Sequence, residues 1–193
     1  MRQANRRDRT LVVNIITETF QNNPDINWMF SAKGNQSKNI RRLADYAFFK
    51  CYNRNGVFIS SNGKGVALFY KIDKRKFSIL EIYYEIRFAL LSIPFSKILE
   101  VLRRESYRKS KRPKNESYYY FWFLGVLKEG AHAGFELNRE LINIAQKERV
   151  PIYLETAIER NKNIYERIGY ETYDYWQEDS KEIKFWFLKW QNK

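Results

Sequence analysis

Asn161 and Tyr165 stand four residues apart in the segment Asn161-Lys162-Asn163-Ile164-Tyr165-Glu166-Arg167-Ile168-Gly169. A spacing of four puts both on one helix face, while Ile164 and Ile168 form a separate, packed face. Asn161 is also a good N-cap residue. The segment follows Leu154-Glu155-Thr156, so an amide and a phenol stand beside a strand end, where a hydroxyl can be presented to a cleft. A half-buried structural tyrosine is the other reading of the same spacing. Ile152 and Leu154 fix the inward face of their strand and leave Glu155 on the opposite one, where its carboxylate either accepts a proton or meets solvent. Cys51, the one cysteine, falls in a helical stripe and reads as a small hydrophobe. His132, the one histidine, falls in a loop, where it bonds an anion or, more commonly, water. No cysteine–histidine cluster has zinc-ligand spacing.

The elements that must position these residues follow from periodicity. Leu11, Val12, Ile15, Ile16 and Phe20 predict a helix over 9–22, broken by Asn22-Asn23-Pro24-Asp25. Ile40, Leu43, Tyr46, Ala47 and Cys51 predict a second over 36–53. Residues 57–61 and 66–70 read as strands joined by the hairpin chemistry of Asn62-Gly63-Lys64-Gly65. Residues 77–109 predict two helices, one lined by Ile79, Ile82, Tyr83, Ile86 and Leu90 and the other by Ile98, Leu99 and Leu102, with Pro94 between. The run Tyr118–Val126 predicts a strand buried on both faces, its side chains alternating between them. Leu137, Leu141, Ile144 and Ala145 predict a helix, and 152–156 a strand. The two strands are then parallel, joined by a right-handed crossover. A short helix over about 161–168 stops at Gly169, and 170–176 with 183–190 form a hairpin around Glu178-Asp179-Ser180. The whole is one α/β domain over 1–193 with a mixed central sheet flanked by helices.

The order strand, loop, helix, then Leu154-Glu155-Thr156, then N-x-x-x-Y-x-x-x-G-Y resembles the GNAT superfamily of acetyl-CoA-dependent N-acetyltransferases. The resemblance is best over 121–190, with a cofactor-binding core of about 118–170, and 77–109 would be two extra helices inserted into that fold. It implies that Phe123-Leu124-Gly125-Val126 is the strand whose backbone pairs with the pantetheine arm, placing Leu124 and Val126 at the cofactor. It implies that 152–156 splays away from that strand to admit the thioester. Asn161 falls on a position that contacts the cofactor, and Tyr165 on the one that protonates the departing thiolate. The family's phosphate loop, [QR]-x-x-G-x-[GA], is degenerate here: the chain has Lys128-Glu129-Gly130-Ala131-His132-Ala133-Gly134-Phe135-Glu136. Counting back from the amphipathic helix places Glu129 at the Gln/Arg position and Gly134 at the last glycine, in a loop about two residues shorter than usual for the family. Gly130, Ala131, Ala133 and Gly134 still permit backbone N–H groups to approach a phosphate, His132 can reach one, and Glu129 and Glu136 repel one.

The resemblance implies direct transfer of an acetyl group from acetyl-CoA to a small-molecule or peptide amine, without a metal or a covalent enzyme intermediate. Glu155 would take the amine's proton, and backbone N–H groups near Val126 would face the carbonyl oxygen. The alternatives are a decayed module of the same fold or a basic nucleic-acid-binding protein. The chain has 193 residues, 44% hydrophobic and 30% charged, which excludes global disorder. An excess of 35 Lys and Arg over 22 Asp and Glu gives a formal charge of +13, favouring an anionic partner without choosing one. The basic run at 103–114, with only Tyr107 to stack a base, reads as a solvated connector. No stretch reads as a signal peptide or membrane span. The expectation is a cytoplasmic protein that binds neither membrane nor nucleic acid, with a homodimer as one possible assembly.

Overall fold

Residues 1–30, 34–72, 78–177 and 183–191 are described by the structure, a computed structural model. The stripe at 9–22 folds as α1 (Arg9–Thr19), preceded by a two-residue strand β1 (Arg2–Gln3). Pro24 does more than break that helix: it opens α2 (Pro24–Phe30), where its missing N–H costs nothing at a first helical position. Then follow α3 (Gln36–Tyr52), capped by the Asn35 side chain, and β2 (Val57–Ile59) with β3 (Gly65–Lys71). The insertion forms α4 (Ile79–Ser92) and α5 (Ile98–Ser110). The remainder is β4 (Tyr119–Val126), α6 (Ala133–Glu148), β5 (Ile152–Thr156), α7 (Glu159–Arg167), β6 (Glu171–Gln177) and β7 (Lys184–Trp190). The turn expected at Glu178-Asp179-Ser180 lies outside the described residues. No helix among the described residues is long and apolar enough to cross a membrane.

The seven strands run β1-β2-β3-β4-β5-β7-β6. Every neighbouring pair is antiparallel except β4 and β5, which the crossover through α6 makes parallel. One core layer, with Val12, Ile16, Ile40 and Phe48, packs α1 and α3 on one side of the sheet. The other, with Leu137, Leu141, Ile152 and Leu188, packs α6 on the opposite side.

β4 does not simply alternate. Leu68 of β3 pairs with Phe123 and Phe69 with Phe121, leaving Trp122 unmatched in a β-bulge. Before the bulge Tyr119 and Phe121 face the α6 layer and Tyr120 the α1/α3 layer. After it Trp122 and Phe123 both face α1/α3, and Leu124 turns to α6. The strict alternation expected of this strand is therefore corrected at one residue.

The insertion overturns a second expectation. Its two helices form and Ile98 packs against the core as expected, but the rest of the stripes assigned to their packed faces points outward: Ile79, Ile82, Tyr83, Ile86 and Leu90 on α4 and Leu99 and Leu102 on α5 are exposed, Leu99 to 81%. Polar and aromatic partners on α3 select the inward face instead. Arg54 donates to Glu81 at 2.7 Å and Tyr46 to Glu85 at 3.0 Å. Tyr84 stacks on Phe49 with ring centres 4.4 Å apart, and Phe88 stacks on Tyr46.

The inward side of α5 is a row of arginines, so the basic run is no solvated connector. Arg104 lies 3.3 Å over the Trp28 ring and pairs with Asp25, which Arg108 also reaches at 3.1 Å. Arg112, one turn on and past the helix end, enters the domain to meet Glu155. Residues 104, 108 and 112 repeat every four positions, which aligns three guanidinium groups on one side.

The orientation of α4 is measurable by urea unfolding. Replacing Ile86 or Leu90 with Lys should shift stability by no more than about 0.5 kcal/mol, as at other exposed sites. Phe88→Ala should cost about 3–5 kcal/mol, the range for a buried aromatic. The reverse order would mean that the apolar stripe faces the core.

Candidate active site

The parallel ladder between β4 and β5 is two residues long: Tyr119 faces Ile152 and Tyr120 faces Tyr153. Beyond Tyr120, β4 continues to Val126 paired only with β3, and Leu154, Glu155 and Thr156 pair only with β7. The strands part at their carboxyl ends, as the family resemblance implies. A cavity of about 340 Å³ occupies the region of the split. Leu124 and Thr156 line it from the two strands, Asn161 and Tyr165 from α7, and Lys50 and Phe88 from α3 and α4.

Tyr165 is set by both its ring and its backbone. The ring meets Phe121 and Tyr170 edge-on, with centres 6.3 and 5.3 Å away. At the helix end the Tyr170 N–H donates to the Tyr165 carbonyl and the Gly169 N–H to that of Glu166, with Gly169 at a φ of 96°. That Schellman arrangement needs the left-handed conformation that glycine supplies. The Tyr165 hydroxyl has no hydrogen-bond partner among the described residues, and burial pushes its pKa up, which keeps the proton on the oxygen near neutral pH. Asn161 is not the N-cap. The helix starts two residues earlier, with Ile158 at the cap position and its N–H accepted by the Thr156 hydroxyl at 3.2 Å. Asn161 remains one turn before Tyr165 and on the cavity wall.

Glu155 is neither solvated nor free. Its side chain is 5% exposed and takes Arg112 Nε at 2.7 Å on one oxygen and Arg112 Nη2 at 3.2 Å on the other. The Tyr120 hydroxyl donates at 2.7 Å to that second oxygen. The guanidinium carbon sits 3.7 Å from the Tyr120 ring centre, so one clamp joins the end of α5 to β4 and β5 where they part. Sequence reasoning missed Arg112 and Tyr120 as members of this site; the four-residue arginine spacing was the signal available. Glu105, also on the cavity wall, would be pushed up by burial, but Arg108, Arg112 and Lys109 outweigh this and hold it below the usual carboxylate range.

The small-residue loop leads from β4 into α6. Ala133 is the first residue of that helix, and His132 precedes it at a φ of 67°. The N–H groups of Ala131, His132, Gly134 and Phe135 meet no acceptor among the described residues. They gather at the positive end of a 16-residue helix, the arrangement that binds anions. A Cβ on Gly130 would lie 2.8 Å from the Val126 side chain and 2.9 Å from the Leu127 carbonyl, so only glycine fits there. Glu136 is engaged elsewhere: it pairs with the Met1 amine at 2.9 Å and accepts from the Ser61 N–H and hydroxyl. Cys51 is fully buried, with its thiol pushed up by burial.

The wall formed by α3 carries a cation that the sequence did not single out. Lys50 Nζ lies 5.3, 5.2 and 5.2 Å from the ring centres of Tyr46, Tyr70 and Trp122. Its one hydrogen bond among the described residues, at 3.0 Å, goes to the Tyr46 hydroxyl. Burial lowers its pKa from the ordinary lysine value, with Glu85 opposing the shift.

The buried clamp has a thermodynamic signature. Arg112→Met strands the Glu155 charge and should cost about 3–5 kcal/mol, whereas the double change with Glu155→Leu should recover most of that loss. Chemical denaturation of the two singles and the double closes the cycle, and simple additivity would mean that the pair is not coupled.

No protein-family model and no curated protein matches the chain in sequence. Solved structures do match in shape. A histone acetyltransferase and related acetyltransferase from Corynebacterium glutamicum superposes with a TM-score of 0.69 at 19% identity, over 100% of this chain and 95% of its own. Arylalkylamine N-acetyltransferase 2 from Aedes aegypti gives 0.66 at 13%, over 98% and 97%. A GNAT-family acetyltransferase structure from Desulfovibrio desulfuricans gives 0.55 at 13%, over 99% and 96%. A split parallel pair, a helix N-terminus beside it and a chain-length superposition lead to one architecture: this chain has the GNAT acetyltransferase fold.

Proposed function

We propose that this protein is an N-acetyltransferase that moves an acetyl group from acetyl-CoA to an amine by direct transfer. The observation that carries the reading is the split between β4 and β5, with unpartnered helix amides at one end and the unbonded Tyr165 hydroxyl on its wall. The N–H groups of Ala131, His132, Gly134 and Phe135, freed by the small residues Gly130, Ala131, Ala133 and Gly134, would hold the pyrophosphate. The exposed strand edge around Leu124 and Val126 would bind the pantetheine amides, and Asn161 would contact the same arm. Acetyl-CoA supplies a thioester carbonyl as the electrophile.

The residues of the chain then divide the work. Glu155 faces the split with its charge fixed by Arg112. It already accepts three hydrogen bonds, so its role in this reading is to accept an N–H of the incoming amine and orient the lone pair, with the proton released to water. With those three bonds occupying its oxygens, the proton-accepting role expected of Glu155 moves to solvent. Backbone N–H groups near Val126 would take the charge that develops on the carbonyl oxygen. Tyr165 would give its proton to the sulfur as it leaves. The nucleic-acid alternative loses its motive, because Arg104, Arg108 and Arg112 are turned into the domain.

Two measurements test this. Acetyl-CoA at 100 times its dissociation constant should stabilise the protein by about 2.7 kcal/mol, a rise in Tm of roughly 5–10 °C for a chain of this size. An unchanged Tm at millimolar acetyl-CoA would make the fold a non-catalytic module. Tyr165→Phe removes a hydroxyl and keeps the packed ring, so acetyl-CoA binding should persist while kcat falls about 10²–10⁴-fold, the usual worth of a placed proton donor. Thiol release on a responsive amine reads it, and an unchanged kcat would leave protonation to water.

A further inference from the structure

Three of the four carboxylates on the cavity wall have ion-pair partners among the described residues, and the fourth, Glu85, accepts from the Tyr46 hydroxyl. Asp25 has Arg104 and Arg108, Glu105 has Arg108 and Lys109, and Glu155 has Arg112. Lys50 is matched by none: among the described residues it forms no ion pair, and its single hydrogen bond goes to a phenol whose own proton is given to Glu85 at 3.0 Å. Two of its three N–H bonds therefore have no acceptor. Three aromatic rings surround the ammonium, and their attraction offsets part of what taking a cation out of water costs. The deficit is what an anion entering the cavity would remove. The same cavity reaches Tyr165 and the split strands, so a molecule holding its amine there can place a second group at Lys50.

We propose that Lys50 makes this site selective for acceptors that carry a carboxylate as well as the reacting amine, that is, amino acids or ω-amino acids. The inference rests on the acetyl-transfer reading of the site. A cation with no direct ion pair among the described residues suits a singly charged carboxylate, and a cavity of about 340 Å³ suits a small acceptor. The two free N–H bonds and the charge would be satisfied together, as charge-assisted hydrogen bonds to carboxylates are.

The test compares α- and ω-amino acids with their carboxamides, which keep the amine and lose the charge. On wild-type protein with acetyl-CoA, kcat/KM should favour the acids about 10–100-fold, the worth of a hydrogen bond to a charged group. Lys50→Met should bring the acid-to-amide ratio to within twofold, and Lys50→Arg should restore part of it. Equal use of acids and amides by the wild type, or a ratio that Lys50→Met leaves intact, overturns the proposal. Calorimetry of the same pairs, on protein saturated with coenzyme A, reads selection without turnover. Acids bound in preference to amides through Lys50, with no thiol released, would sustain the carboxylate site while refuting acetyl transfer. Thiol release with no preference in either assay would do the reverse, and binding of neither class overturns the carboxylate site. Retained Tm in Lys50→Met, expected when a buried charge becomes an apolar side chain, secures the comparison.

Discussion

Arg112, Tyr120 and Glu155 meet where β4 and β5 stop pairing, and the remaining architecture of the site hangs on that meeting. A parallel pair that loses its ladder leaves backbone groups bare, and some other interaction must keep the two strands at a fixed separation. Here the tie is polar and bridges through side chains: the phenol of β4 and the guanidinium after α5 both bind the carboxylate of β5. Placing such a cluster in the interior is costly unless every member is satisfied. Its cost is met by geometry, since both carboxylate oxygens are occupied and the guanidinium carbon sits over the Tyr120 ring. The gap stays open without strand hydrogen bonds because the clamp holds its apex.

The same clamp explains why the inserted helices sit as they do. α5 docks through Arg104, Arg108 and Arg112 rather than through its leucines, and α4 docks through Glu81, Tyr84, Glu85 and Phe88. Charges and rings thus dominate the inside of the insertion, beside Ile93, Ile98 and Val101, and most of its other aliphatic side chains lie outside. The usual logic of an amphipathic helix is inverted because the wall being built faces a cavity lined by charged as well as apolar side chains.

This inversion marks the limit of what could be read from the residues. Elements were legible: strands at 57–59, 65–71, 119–126 and 152–156 and helices α1, α3 and α6 follow from periodicity and turn chemistry. So was the parting of the strands, through the resemblance carried by Leu154-Glu155-Thr156, Asn161 and Tyr165. Facing was not legible in the insertion, because a stripe of isoleucine and leucine looks the same whether it meets a core or solvent. Nor were partnerships: Arg112 and Glu155 lie 43 residues apart, and nothing local in either segment names the other. Lys50 sat inside a stripe read only for its apolar members. The Trp122 bulge was invisible because an unbroken aromatic run carries no mark of which residue is left unpaired.

That bulge sets how the gene for this protein can change length. Strands tolerate most substitutions one side chain at a time, but an inserted or deleted residue exchanges the two faces for everything downstream. In β4 the exchange has been made once, at Trp122, and the layers on both sides are built around it: Phe123 belongs with Phe20, and Leu124 with the α6 layer. Removing one residue between Phe121 and Phe123 would restore a regular ladder to β3 locally. It would also shorten the strand by one step, turning the edge offered at the split and drawing the loop before α6 toward the sheet, where Gly130 has no room to spare. The extra residue in β4 thus behaves as a fixed part of the site, and changes of length are absorbed more cheaply in loops.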